Sequence, residues 1–108
     1  MKNNKVVSLL SLCRKAGRIT TGFDAVIECI QDAKARLVLL AGDLSDKTRS
    51  EVQYLAGKSQ YTGEILQIQE TMDELSAVLG KRTGVLAITD AGLARAIRSE
   101  LSKQGGVD

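Results

Sequence analysis

The segment Leu37-Val38-Leu39-Leu40-Ala41-Gly42-Asp43 decides how the rest of this 108-residue chain is read. Its apolar run is too short for a helix and stops at a Gly-Asp turn, so it reads as a strand with both faces covered. A strand buried on two sides needs one layer of helices above it and another below.

The flanking sequence supplies those helices. Val6, Leu9, Leu10 and Cys13 recur at i, i+3, i+4 and i+7, one amphipathic stripe closed by Gly17. Ile19 and Thr20 add a short strand. Thr21 and Asp24 have capping-box spacing before a second stripe, Phe23, Val26, Ile27 and Ile30, that reaches about residue 33. Downstream, Ser45 or Asp46 caps a third helix carrying Val52, Leu55 and Ala56 and ending near Gly57, and residues 64–68 form another strand. Thr71 and Glu74 make a second capping box ahead of Met72, Leu75, Val78 and Leu79. Residues 85–89 are a further buried strand, and Thr89 or Asp90 caps a last helix with Leu93, Ala94, Ile97 and Leu101 inside. Residues 104–108 are expected to fray. Alternating helices and apolar strands predict one domain, a three-layer α/β/α sandwich on a small mixed, mostly parallel sheet, with its core within residues 6–101. Neither strand order nor oligomeric state follows from the pattern.

Composition narrows the function. The net charge is only +2, but it is polarised: residues 1–36 carry +4, residues 37–80 carry −4 and residues 81–108 carry +2. Basic groups gathered towards the chain ends fit a molecule with one face turned to a polyanion. Aromatic residues make up 3% of the chain, so it cannot build the stacking platform on which extended single strands are usually bound. There is no His, which removes the commonest general base and metal ligand, and no nucleophile and base pair stands out. The chain reads as non-catalytic, with no cofactor. Cys13 and Cys29 fall on helical stripes and read as small buried thiols of a reducing compartment. The start Met1-Lys2-Asn3-Asn4-Lys5 faintly imitates a lipoprotein signal, but bulky Leu12 stands where a small residue is needed. No apolar run approaches the ~20 residues of a membrane span, so a cytoplasmic protein without membrane contact is expected.

Two segments carry the binding chemistry. Arg14-Lys15-Ala16-Gly17-Arg18-Ile19-Thr20-Thr21-Gly22-Phe23 is a basic, glycine-punctuated stretch leading into the second helix. Gly80-Lys81-Arg82-Thr83-Gly84 is a tight basic loop. A helix N-terminus with free N–H groups and cations beside it accepts phosphate oxygens, which points to RNA before catalysis. Lys15 and Arg18 also suit a solvated helix C-terminus, Gly22 a permissive turn, and Asp24 a capping role. Asp43 and Ser45 read better as capping residues than as loop-orienting ones, while Lys47 and Thr48 are ambiguous. Gly57-Lys58 and Gly80-Lys81 are not phosphate loops, because Val52 and Leu75 stand where the upstream glycine would be.

The buried strand with Gly42-Asp43, the Thr20-Thr21-Gly22 helix opening before it, the Ser45-Asp46-Lys47-Thr48 turn after it and the Gly80-Lys81 loop resemble the kink-turn RNA-binding ribosomal protein family. The similarity extends over residues 6–101, and within the family to the small bacterial YlxQ-like branch and to the archaeal large-subunit protein also found in box C/D ribonucleoproteins. This resemblance implies a non-catalytic protein that grips a sharply bent internal loop of structured RNA, ribosomal RNA or another, entering a groove that regular A-form RNA keeps too narrow. In the family a glycine opens the helix, followed by Asn-Glu and then Lys three residues on, which contact guanines; a second loop covers a flipped-out nucleotide. Here Gly22 matches, but Asp24, Ala25 and Glu28 stand at the following positions. Losing a bidentate base contact costs ~1–3 kcal/mol of discrimination, which implies altered specificity. The implied RNA contacts are Lys15, Arg18, Thr21, Gly22, Asp24, Glu28, Lys47, Gly80, Lys81, Arg82 and Thr83, with Lys15, Arg18, Lys81 and Arg82 expected at one end of the sheet. The alternative is a protein-interaction module that keeps the fold with lost or altered RNA contacts.

Overall fold

The structure, a computed structural model, describes residues 4–104. Its elements in chain order are α1 (Asn4–Ala16), β1 (Ile19–Thr21), α2 (Phe23–Gln31), β2 (Leu37–Leu40), α3 (Asp46–Lys58), β3 (Glu64–Gln67), α4 (Met72–Leu79), β4 (Val85–Ile88) and α5 (Ala91–Lys103). The tail beyond residue 104 and the signal-like residues 1–3 lie outside the described residues, and Gln104 still caps α5.

The helix ends follow local chemistry. Gly17 closes α1 at φ 68, and Gly80 closes α4 in the left-handed conformation at φ 80. Ser45 caps α3 through the Thr48 N–H, Asp90 caps α5 through the Leu93 N–H, and Thr71 with Glu74 forms a complete capping box on α4. Two expectations fail. Thr21 and Asp24 make no box, because Thr21 ends β1 and Gly22 takes the N-cap position of α2 with no side-chain cap. Asp43 does not cap α3; its carboxylate accepts from the Met72 N–H at the start of α4, 2.9 Å away.

The four strands lie in the order β1-β4-β2-β3. Only β2 and β3 are parallel; β1 with β4 and β2 with β4 are antiparallel. The expected mostly parallel sheet is therefore corrected to a mixed, mostly antiparallel one. Continuous burial of β2 and β4 reports helices on both faces, and that burial is indifferent to strand direction.

Alternate strand residues feed two cores. Leu37, Leu39, Leu86 and Ile88 pack with Val6, Leu10, Leu75, Ile97 and Leu101 from α1, α4 and α5. Val38, Leu40, Val85 and Ala87 pack on the other face with Val26, Ile30, Val52 and Ala56 from α2 and α3. The three-layer α/β/α arrangement holds. Because β4 is antiparallel to both neighbours, its start lies beside the ends of β1 and β2, and the connections after those strands open at one pole of the sheet.

Candidate nucleic-acid interface

That pole brings together the two glycine-rich segments. The Gly22 N–H donates to the Val85 carbonyl at 2.9 Å, and the Ala41 N–H donates to the Gly84 carbonyl at 2.9 Å. The 80–84 loop is thus stitched between the opening of α2 and the end of β2. Gly22 takes φ 97 and ψ 150, a conformation that side chains strongly disfavour, and no side chain caps α2. Its first-turn N–H groups are left for solvent or a ligand acceptor, at the positive end of the helix dipole.

The neighbouring loop is held by a backbone and side-chain network. The Gly42 N–H donates to the Glu70 carbonyl at 2.8 Å. A β-carbon on Gly42 would stand 2.7 Å from the Ile68 carbonyl oxygen and 2.9 Å from that of Gln69, so this close approach of two backbones requires glycine. The Gln67 amide donates to the Ala41 carbonyl at 3.1 Å, and its oxygen accepts from Arg49, which also pairs with Asp46. This network sets where Ser45 ends the loop and α3 begins, placing exposed Lys47 in the first turn of α3 at the same pole. No periodicity marks Gln67 or Arg49 for this task; Gly42 directly after an apolar strand was the visible signal.

The candidate residues separate. Gly22, Lys47, Lys81, Arg82 and the last residue of β1, Thr21, share the pole, with Gly80 at the end of α4. Gly80 packs against the Arg14 guanidinium, which also donates to the Val78 carbonyl at 3.2 Å. Lys81 is exposed, whereas Arg82 is exposed but paired with Asp73. Thr83 is 5% exposed and its hydroxyl donates to the Val85 carbonyl at 3.0 Å, so the side chain shapes the loop from inside.

Arg18 is not at this pole. Its carbonyl accepts from the Thr89 N–H at 3.0 Å, beyond the far end of β4. The antiparallel pairing of β1 with β4 puts residues before β1 and residues before β4 at opposite ends, which corrects the expected grouping of Arg18 with Lys81 and Arg82. Glu28 also turns away: it lines a concavity with Thr20, Lys34 and Thr89 on the Arg18 side. Lys15 lies exposed in the last turn of α1. Asp24 stays in the first turn of α2, and with Asp43, Asp46 and Asp73 it offsets the cations of the pole.

Other chemistry finds little support. Cys13 and Cys29 are buried free thiols, and burial raises both; Cys13, with Asp90 adding to the effect, is pushed up to about 11, the opposite of an activated nucleophile. Among the described residues, no group of three or more His, Cys, Asp or Glu is placed to hold a metal ion. No described helix is long and apolar enough to cross a membrane.

Similarity to known proteins agrees with this architecture. The large ribosomal subunit protein eL30 of Yarrowia lipolytica is 32% identical over 101 residues, covering 92% of this chain and 91% of the relative. The RNA-binding protein YlxQ of Bacillus subtilis is 36% identical over 98 residues, covering 86% and 91%. The structure of the Giardia lamblia 15.5kD RNA binding protein shares the fold with a TM-score of 0.71 at 18% identity, covering 95% of this chain and 92% of the other. Residues 4–97 match the profile described as the ribosomal protein L7Ae/L30e/S12e/Gadd45 family, and the chain belongs to that family.

Proposed function

We propose that this protein is a non-catalytic, cytoplasmic RNA-binding protein that recognises kinked, structured RNA, associated with ribosomal RNA or another RNA holding a kink-turn-like internal loop. The observation that carries the reading is the Gly22 to Val85 hydrogen bond, which sets the uncapped start of α2 against the Lys81-bearing loop. Phosphate oxygens accept from the first-turn N–H groups of α2, while Lys47 and Lys81 neutralise the backbones converging in a bent RNA. The relatives named as RNA-binding and ribosomal proteins support the same reading.

Base readout is weaker than phosphate contact. Asp24 accepts from a guanine edge but donates nothing, and Ala25 offers no polar group. Recognition rests on shape. The carboxylates at the pole favour a second reading, a protein-interaction module on the same fold. A gel shift separates the two, using a duplex with a kink-turn loop and a variant duplex lacking the tandem G·A pairs. Preferred binding of the first, weakened by Lys47→Ala with Lys81→Ala and with a salt slope flatter by about 1–2, is expected. Equal or absent binding of both duplexes sends the function to a protein partner.

A further inference from the structure

The pole opposite Gly22 gathers a second set of cations from distant parts of the chain. Arg18 and Arg36 flank the end of β4, since the Arg18 carbonyl accepts from Thr89 and the Arg36 N–H donates to the Ile88 carbonyl at 2.7 Å. Lys34 lines the concavity of about 260 Å³ that also holds Thr89. On the other flank Arg36, Arg95 and Arg98 line a second concavity, of about 350 Å³, between the start of β2 and α5.

Cations outnumber carboxylates on the α5 flank of this pole, while Glu28 and Asp32 stand beside Lys34 on the other. Arg98 is engaged, its Nε donating to both Glu64 carboxylate oxygens at 2.8 and 3.0 Å. Arg18, Lys34, Arg36 and Arg95 are exposed, and none has an ion pair or side-chain hydrogen bond among the described residues. Of the nearby carboxylates, Asp90 is used as the cap of α5, and Glu28 and Asp32 stand on the α2 flank. The α5 flank therefore presents three guanidinium groups against one carboxylate already occupied by Arg98. Like charges held together by a folded scaffold repel, and a polyanion laid across them relieves that cost.

We propose that this pole is a second RNA contact, binding the phosphate backbone of another RNA segment, so that the protein bridges two segments from the two ends of its sheet. This rests on the RNA reading of the Gly22 pole. Guanidinium forks match phosphate oxygens, and phosphate contact needs no apolar anchor. A protein partner would need such an anchor, and the exposed large apolar side chains among the described residues, Leu12 and Tyr54, line neither concavity. The two surfaces are separate contacts, since the four residues of β4 alone set them about 13 Å apart.

The test is a salt titration of binding, followed by fluorescence anisotropy, on two RNAs. One is a short hairpin holding a kink-turn loop; the other is the same hairpin joined by a flexible linker to a plain duplex. The wild type is expected to show a steeper salt slope on the joined RNA. Arg36→Ala with Arg95→Ala should remove about 1–2 of that slope, and Arg95→Glu alone should remove most of the gain in affinity on the joined RNA. Equal wild-type slopes on both RNAs, or joined-RNA slopes unchanged in both variants, overturn the second surface while binding of the short hairpin keeps the first. A wild type that binds neither RNA overturns both.

Discussion

At Gly22 the backbone does what no side chain could. Its φ of 97 with ψ of 150 lies where non-glycine residues are strained by roughly 1–3 kcal/mol, yet a β-carbon there would meet nothing within 4 Å. Gly22→Ala is therefore expected to destabilise by about that amount through strain alone, and to lower RNA affinity by re-aiming the first turn of α2. Chemical denaturation and a gel shift on the kink-turn duplex measure the two effects. Glu70 shows the reverse case, a side chain that the fold tolerates at a cost. It is 1% exposed and neither carboxylate oxygen has a hydrogen-bond partner among the described residues. Replacing it by an apolar group of similar length, Glu70→Met, removes an unsatisfied buried group and should raise stability by about 1–3 kcal/mol. A lower denaturation midpoint for Glu70→Met would show that the carboxylate carries a structural role of its own.

Among the elements, α4 depends most on its ends. It has only eight residues, too few to be stable from propensity, and it must hold the loop that carries Lys81. Its capping box, the Asp43 carboxylate at its start and Gly80 at its end satisfy backbone groups that would otherwise be orphaned. Thr71→Ala is expected to cost about 1 kcal/mol, read as a shift in denaturation midpoint with an unchanged m-value. The box was legible because it needs only two residues at a fixed spacing. The cap of α2 was not: Thr21 and Asp24 have the same spacing, but strand pairing with Leu86 holds Thr21 in β1.

For the whole molecule, burial of thiols and a phenol links stability to alkaline pH. Burial raises Cys13 from 9.0 to about 11 and Tyr61 from 10.0 to about 12, so the folded chain keeps protons that the unfolded chain releases. Their contribution is complete below pH 9, and it is lost as pH climbs from 9 towards about 12. The thermal midpoint should fall across that window, and Cys13→Val should flatten the fall between pH 9 and about 11. A midpoint in the Cys13→Val variant that drops as steeply as the wild type would remove Cys13 from this account.

The sequence by itself determined the kind and order of the elements, most of their ends, and the two-sided burial of β2 and β4. These are written in local spacing: apolar periodicity, a glycine after a helix, a hydroxyl three residues before a Glu. Strand direction and order were decided only in the tertiary structure, because an apolar strand buries equally well either way round, and pairing partners are chosen across long stretches of chain. The placement of charge follows that choice. Pairing β4 antiparallel to its neighbours joined Gly22 to the Lys81 loop at one pole and carried Arg18 to the other, beside Arg36 and Arg95 from segments with which no local pattern connects it.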